Sequence, residues 1–167
     1  NRECLSKATG QVNFFTNDDV IFRTKDWDSL LVEHISKIPD AIYLMYPNDL
    51  FKRKNLCTFP IMDREFLLEN PDILPDCYQG SFIDLHIMDI FKAFRSGSRV
   101  TYLENLVCEH QHYRTGLASF DETYQKRIRL GDDVQFIKLS SQRATIVSRL
   151  EKYPIKLNTY FSSDSVF

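Results

Sequence analysis

The chain has 167 residues, a hydrophobic fraction of 43% and a formal net charge of −2. These values fit a single folded domain over residues 1–167 and exclude the low hydrophobicity and high net charge of a disordered chain. Because the charge is nearly balanced and no long basic run occurs, the sequence argues against a protein that binds nucleic acid by neutralising phosphates.

Cysteine spacing and apolar run length constrain the class further. The four cysteines are scattered without a C-x-x-C pair: Cys4, Cys57, Cys77 and Cys108. This spacing argues against a zinc ribbon, and a disulfide framework is unusual in a domain of this size. We therefore expect reduced thiols and a cytoplasmic protein. No apolar run approaches the roughly 20 residues of a membrane span, so none is predicted.

Hydrophobic periodicity and turn residues predict strands that alternate with helices. After a helix end at residues 1–10, with Gly10 as its C-cap, the predicted strands are 12–15, 20–22, 41–46, 58–62 and 99–108. The predicted helices are 29–38, 64–70, 82–94, 121–129 and 134–153, with Asp63 as the N-cap of the second and a largely buried apolar third. Residues 154–167 carry no strong pattern and are predicted to form an irregular tail. The alternation indicates an α/β fold, in which functional residues usually lie at strand ends and helix starts.

Two adjacent carboxylates, Asp18 and Asp19, interrupt a strand-like run that resumes at residues 20–22. The flanking apolar and aromatic residues predict a buried strand, and desolvating a carboxylate pair there is costly unless a positive group is present. Hard cations such as Mg²⁺ and Mn²⁺ prefer carboxylate oxygens. The alternative is a loop of solvated acids with ordinary turn chemistry.

The polar loop at residues 47–57 contains a basic cluster of Lys52, Arg53 and Lys54. Such a cluster is usually a solvated surface. It is also compatible with a basic flap beside a phosphate.

Asp84 lies near the start of the predicted helix at 82–94, after Gly80. A carboxylate in this position is favoured by the helix dipole, which is a purely structural explanation. The functional alternative is a general base, because a fixed carboxylate can remove the proton of an attacking sugar hydroxyl.

Two histidines, His110 and His112, follow the last predicted strand within Glu109-His110-Gln111-His112. Residues two apart on an extended segment point to the same side, so both rings can face one site. Imidazole is a common ligand of Mn²⁺ and Zn²⁺. A structural role in the core or on the surface is the alternative.

Taken together, five features in this order resemble the second half of a GT-A type glycosyltransferase. They are the helix end Ala8-Thr9-Gly10, a strand, the D-x-D-like Asn17-Asp18-Asp19, the Gly-x-x-x-Asp element from Gly80 to Asp84, and Glu109 to His112. The resemblance covers residues 1 to about 125. It implies a GT-A-like mixed sheet with flanking helices, apparently without the first, nucleotide-binding half.

The resemblance also implies roles for these residues in transfer of a sugar from a nucleotide-diphosphate donor to a hydroxyl or saccharide acceptor. Asp19 would bind Mn²⁺ or Mg²⁺, Asp18 would contact the ribose or the metal, and His110 or His112 would complete the metal site. Asp84 would be the base of an inverting reaction. Arg114 and Arg127 would add positive charge.

Two departures from the family pattern bear on this interpretation. The acidic motif reads Asn-Asp-Asp, so its first position is uncharged, and only a helix end precedes the acidic strand. The chain also begins at Asn1 rather than Met, and we expect either a fragment of a longer protein or a chain whose N-terminal half is supplied elsewhere. A non-catalytic binding module of transferase-like shape and a metal-dependent nuclease remain the alternatives. Against the nuclease, no Pro-Asp pair in the sequence is followed at a suitable distance by an acid-x-Lys triplet.

Overall fold

The computed structural model describes residues 2–126 and 131–154, which form a mixed α/β fold. The strands are β1 (Val12–Phe14), β2 (Val20–Phe22), β3 (Leu44–Asn48), β4 (Ile61–Asp63) and β5 (Val100–His110). The helices are α1 (Arg2–Lys7), α2 (Trp27–Ser36), α3 (Arg64–Glu69), α4 (Ile83–Ala93), α5 (Glu122–Lys126), α6 (Asp132–Lys138) and α7 (Ser140–Leu150).

The strands form one mixed sheet in the order β1-β4-β3-β5-β2. Only β3 and β5 pair in parallel; the other described pairs are antiparallel. The sheet is curled, because Phe14 of one outer strand and Phe22 of the other are in edge-to-face contact with ring centroids 5.6 Å apart.

The long strand β5 changes partners along its length. Its first part pairs with β3, and a bulge shifts the register between Pro47 and Asn48 of that strand. Its last residues, Cys108 to His110, pair with β2. Bulges bend a strand and re-aim its side chains. The C-terminal end of β5 is thereby brought beside the segment that holds the acid doublet.

Apolar side chains pack on both faces of the sheet, and β3 shows the alternation most clearly. Tyr43 and Met45 belong to the cluster that includes Leu31 and Ile35 of α2. Ile42, Leu44 and Tyr46 belong to the opposite cluster, which includes the buried faces of α3, α4 and α7. The result is a layered domain with helices on both sides of the sheet.

Most predicted elements are confirmed with shifted ends, and one local prediction is matched in detail. Asp63 caps α3, since its carboxylate accepts the N–H of Phe66 at 2.9 Å. The predicted helix at 134–153 is wrong as a single element, because it divides at Leu139 into α6 and α7. Residues 127–129 of the predicted helix and residues 155–167 of the predicted tail lie outside the described residues.

Two further predictions near the N-terminus need correction. Gly10 is not a C-cap, because α1 ends at Lys7. Strand β2 is not buried, since Ile21 and Phe22 are each 39% exposed. The reason is position: β2 is an outer strand that pairs only with β5, and an apolar sequence run does not distinguish a central strand from an edge strand. Among the helices of the described residues, none is both long and apolar enough to cross a bilayer.

Candidate functional site

An open cleft of about 400 Å³ lies at the end of the sheet where β2 and β5 meet the starts of α4 and the loop after β3. It combines basic, acidic, imidazole and aromatic side chains. The residues that line it are Asn17, Phe51, Lys52, Leu56, Thr58, Gly80, Ser81, Phe82, Ile83, Asp84, Leu85, His110, His112 and Arg114. Three of the predicted site residues, Asp84, His110 and His112, are therefore on one cleft.

At the edge of the cleft, Asp19 of the acid doublet contacts His110. Antiparallel pairing of β2 with β5 sets Val20 opposite His110, and the N–H of Gln111 donates to the carbonyl of Asp19 at 2.8 Å. This register brings the Oδ2 atom of Asp19 within 3.2 Å of Nε2 of His110. Two groups that are 91 residues apart in sequence thus meet at one point.

The Asp19–His110 pair has unused polar atoms. The Tyr124 hydroxyl donates to Oδ2 of Asp19 at 3.2 Å. By contrast, Oδ1 of Asp19 and Nδ1 of His110 are buried and have no hydrogen-bond partner among the described residues. Buried polar atoms are nearly always satisfied in folded proteins, so such atoms call for an explanation, for which an ion or water is a common candidate.

Asp19 and His110 fit a Mn²⁺ or Mg²⁺ site only if a bound molecule provides the remaining ligands. Two ligands at right angles on an octahedral ion with bonds of about 2.1 Å lie about 3 Å apart, close to the 3.2 Å between the Asp19 oxygen and the His110 nitrogen. That separation is also an ordinary hydrogen bond. No three His, Cys, Asp or Glu residues of the described ranges form a group that could hold a metal ion. The remaining ligands would have to come from a bound molecule, as phosphates often provide.

His112 lies in the cleft wall, with several contacts that fix its ring. Its Nδ1 accepts the N–H of Arg114 at 3.1 Å. Its ring stacks on Phe51 with centroids 5.1 Å apart and on Tyr113 with centroids 4.6 Å apart. The structure therefore does not join His112 to Asp19 and His110 as a third member of one ligand group.

One wall of the cleft, which we name the basic wall, is the segment 49–58. Asp49 is only 1% exposed, and its Oδ1 accepts the backbone N–H groups of Phe51, Lys52 and Arg53 at 3.0, 2.7 and 2.6 Å. Its Oδ2 accepts the hydroxyl of Thr58 at 2.8 Å. A local carboxylate thus closes the loop and fixes the backbone of Lys52, whose side chain lines the cleft.

A second wall of the cleft, which we name the acidic wall, is the segment 79–85, and it contacts the basic wall where the Cys57 thiol donates to the Asp84 carbonyl at 3.1 Å. Asp84 lies in the first turn of α4, and it lines both the main cleft and a neighbouring cavity of about 70 Å³. The helix begins after Phe82, whose backbone is left-handed at φ 69° and ψ −8°. A carboxylate at a helix N-terminus on the wall of a cleft can accept a proton from a molecule bound there.

His86, on the next turn of α4, is fully buried and is part of the support of the acidic wall. Its Nδ1 lies 3.0 Å from the Tyr78 hydroxyl. Burial, with a further contribution from the nearby Arg143 cation, lowers the pKa of His86 to about 4. The ring is therefore neutral at pH 7.

The remaining predicted site residues, Asp18, Arg114 and Arg127, differ from one another in position. Asp18 is exposed in the bend before β2 and does not line the cleft. Arg114 lines the cleft, and its Nε donates to the Tyr113 hydroxyl at 2.9 Å. Arg127 lies outside the described residues.

Sequence reasoning missed three residues that support the cleft. Asp49 follows a strand and precedes a polar loop, so the turn preference of aspartate is a usable signal. Tyr124 and Asp132 contact Asp19 and residues 79–81 respectively, across 105 and 51–53 residues of sequence. No local sequence pattern predicts contacts between residues so far apart in the chain.

Comparison with known proteins gives no match. No family model fits the chain, and neither a curated protein nor a solved structure is significantly similar to it.

Proposed function

We propose that this chain carries the metal and acceptor side of a glycosyltransferase with a GT-A-like sheet, which transfers a sugar from a nucleotide-diphosphate donor to a hydroxyl. The observation that carries the proposal is the 3.2 Å contact between Oδ2 of Asp19 and Nε2 of His110, at the edge of the cleft that Asp84 lines. It supports the proposal because a cation bound there would stabilise the departing diphosphate, while Asp84 on the same cleft would accept the proton of the acceptor.

The charges around the cleft support a polyanionic donor. Lys52 and Arg114 both line it, near His110. Asp19 and His110 would hold Mn²⁺ or Mg²⁺, which when bound neutralises charge that develops on the departing diphosphate. The cations of Lys52 and Arg114 act on the same oxygens, as a basic residue does in other phosphate sites.

Asp84 has the second role. Its carboxylate accepts the proton of the acceptor hydroxyl while that oxygen forms a bond to the anomeric carbon. The bond from that carbon to the diphosphate oxygen breaks at the same time, and the pair of electrons leaves with the nucleoside diphosphate. Attack opposite to the departing group inverts the anomeric configuration.

Calorimetry with UDP and GDP, with and without Mn²⁺, tests the donor half of the proposal. We expect Mn²⁺-dependent binding of one nucleotide, and Asp19→Asn should weaken that binding at least tenfold. Asp28→Asn is the matched control, because it removes the same charge from an exposed site on α2 and should leave the affinity unchanged. No nucleotide binding under any condition would instead support a non-catalytic module.

An activity assay separates the remaining alternatives. Release of nucleoside diphosphate that depends on both a sugar donor and a hydroxyl acceptor supports the transferase. Cleavage of a labelled oligonucleotide in Mn²⁺, without sugar transfer, supports a metal-dependent nuclease.

We also propose a cytoplasmic location. All four cysteines are unpaired, and Cys4 and Cys77 are exposed as well. Exposed free thiols persist best in a reducing compartment. Localisation of a tagged full-length protein by microscopy tests this point.

A further inference from the structure

Asp132, the first residue of α6, holds the start of the acidic wall through an unusually complete set of hydrogen bonds. It is 4% exposed. Its carboxylate accepts the consecutive backbone N–H groups of Gln79, Gly80 and Ser81 at 3.1, 3.0 and 2.9 Å, and the Ser81 hydroxyl at 3.3 Å. Burial alone would raise the pKa of this carboxyl, but the backbone hydrogen bonds lower it below the ordinary value.

The anchored loop leads directly into the cleft. Gly80 and Ser81 line the cleft, and the chain then passes through Phe82 to Asp84. The left-handed backbone of Phe82, at φ 69°, is strained for a residue with a side chain. Such a conformation persists only when the surroundings fix it. The three N–H groups that Asp132 binds lie immediately before that residue.

The helix that carries Asp132 is itself tied to α4. The rings of Phe82 and Phe136 are 5.6 Å apart. Arg143 lies 3.7 Å from the Phe136 ring centroid and donates to the Phe136 carbonyl at 2.6 Å. The same guanidinium donates to Asp89 of α4 at 2.5 Å. The carboxylate anchor, the loop and the base-bearing helix therefore form one connected unit.

We propose that Asp132 is a positioning residue for Asp84: it fixes the 79–82 loop, and through that loop it sets where the Asp84 carboxylate lies in the cleft. This role rests on the proposed function, in which Asp84 accepts the proton of the acceptor. A misplacement of about 1 Å in a catalytic group costs up to a hundredfold in rate, so a loop anchor that touches no substrate can control turnover.

Steady-state kinetics of Asp132→Asn tests the proposal, with Asp133→Asn as the matched control. Both substitutions remove one charge from the first turn of α6, but Asp133 is exposed. We expect kcat for Asp132→Asn to fall about tenfold to a hundredfold, with the KM for the donor within about twofold of wild type. Asp133→Asn should change neither constant. An equal loss in both variants, or a rise in KM alone, overturns the proposal.

A double-variant comparison distinguishes positioning from general destabilisation. If Asp132 acts through Asp84, Asp132→Asn in an Asp84→Asn background causes no further loss of kcat. If the losses in kcat multiply, Asp132 acts elsewhere and the proposal fails. Asp132→Glu keeps the charge while it displaces the carboxylate. It should show the same kcat-selective loss, so it serves if Asp132→Asn does not fold.

Amide hydrogen exchange provides a readout that does not depend on turnover. In Asp132→Asn or Asp132→Glu we expect faster exchange at residues 79–85, with β2 and β5 unchanged. Unchanged exchange at 79–85 overturns the anchor even if the enzyme is active. If the wild-type protein transfers no sugar, the proposed function and the catalytic role of Asp132 both fail, while the exchange result still decides whether the anchor exists.

Discussion

In each wall of the cleft one aspartate carboxylate accepts three backbone N–H groups of a loop, but the aspartate is close to the loop in sequence in one wall and remote from it in the other. On the basic wall, Asp49 accepts three N–H groups that follow it by two to four residues. On the acidic wall, Asp132 accepts three N–H groups that precede it by 51–53 residues. A local carboxylate closes its own loop, whereas the remote carboxylate joins a loop to a separate helix. The acidic wall therefore depends on the packing of α6 and α7, and the basic wall does not.

The largest expected effect separates the chemistry of the two walls. Asp84→Asn should lower kcat about 10²- to 10⁴-fold, because the carboxylate proposed to accept the acceptor proton is lost. Nucleotide affinity by calorimetry should stay within about twofold, since the proposal assigns that binding to Asp19, His110 and the basic wall. Asp76→Asn, on an exposed part of the preceding loop, is the control and should behave as wild type. A kcat for Asp84→Asn close to that of wild type rules out Asp84 as the base.

A second substitution tests how far the local anchor contributes to stability. Asp49→Ala should lower the free energy of unfolding by about 3 kcal/mol, because buried N–H groups and the Thr58 hydroxyl lose a charged acceptor. Denaturant unfolding measures this, with Asp28→Ala as an exposed control. Amide exchange should accelerate more at 49–58 than at 79–85, which contacts the first segment through the Cys57 thiol that donates to the Asp84 carbonyl at 3.1 Å. Equal acceleration of both segments would show that Asp49 supports both walls.

Lowering the pH should destabilise the folded protein through His86, which supports the acidic wall. The pKa of His86 is about 4 in the folded protein, below the ordinary value of about 6.5. At pH values between these two pKa values, His86 takes up a proton when the protein unfolds. The free energy of unfolding is therefore highest above pH 6.5 and falls as the pH drops towards 4. The groups that act on His86 are the half-buried Tyr78 hydroxyl and the charges of Arg143, Asp89 and Asp72.

Unfolding free energies at pH 7 and pH 5 measure this effect, which we expect to be about 2 kcal/mol from His86. The variant His86→Asn keeps an acceptor for the Tyr78 hydroxyl and should remove most of that pH dependence. If His86→Asn has the same pH dependence as wild type, another group is responsible and the acidic wall is not the acid-sensitive one.

The smallest expected effect concerns the basic wall. Lys52→Met should weaken binding of a nucleoside diphosphate about tenfold, which corresponds to about 1.4 kcal/mol, and leave kcat nearly unchanged. Lys54→Met is the control, because Lys54 is exposed and does not line the cleft. A large fall in kcat with unchanged affinity would assign Lys52 to the reaction rather than to the donor.

Local physics explains which features of the fold were predictable. The N-cap of α3 at Asp63 and the apolar face of α4 follow from residues within a few positions of each other, and both are confirmed. The single helix predicted at 134–153 was wrong because the helical apolar spacing continues through Leu139, where the structure divides the segment into α6 and α7. The exposure of β2 was missed because edge position depends on which strands pair.

The candidate site divides in the same way. Residue chemistry selected the Asp18–Asp19 doublet, Asp84, His110 and His112, because carboxylates and imidazoles at strand ends and helix starts are unusual enough to notice. Only the family resemblance singled out Asp19 from Asp18, and the β2–β5 register is what places Asp19 beside His110 while Asp18 remains exposed. Asp132 had no local sign of its role, because its hydrogen-bond partners lie more than 50 residues away. Interactions between neighbouring residues can be predicted from the local sequence, whereas contacts between distant segments form only when the chain has packed.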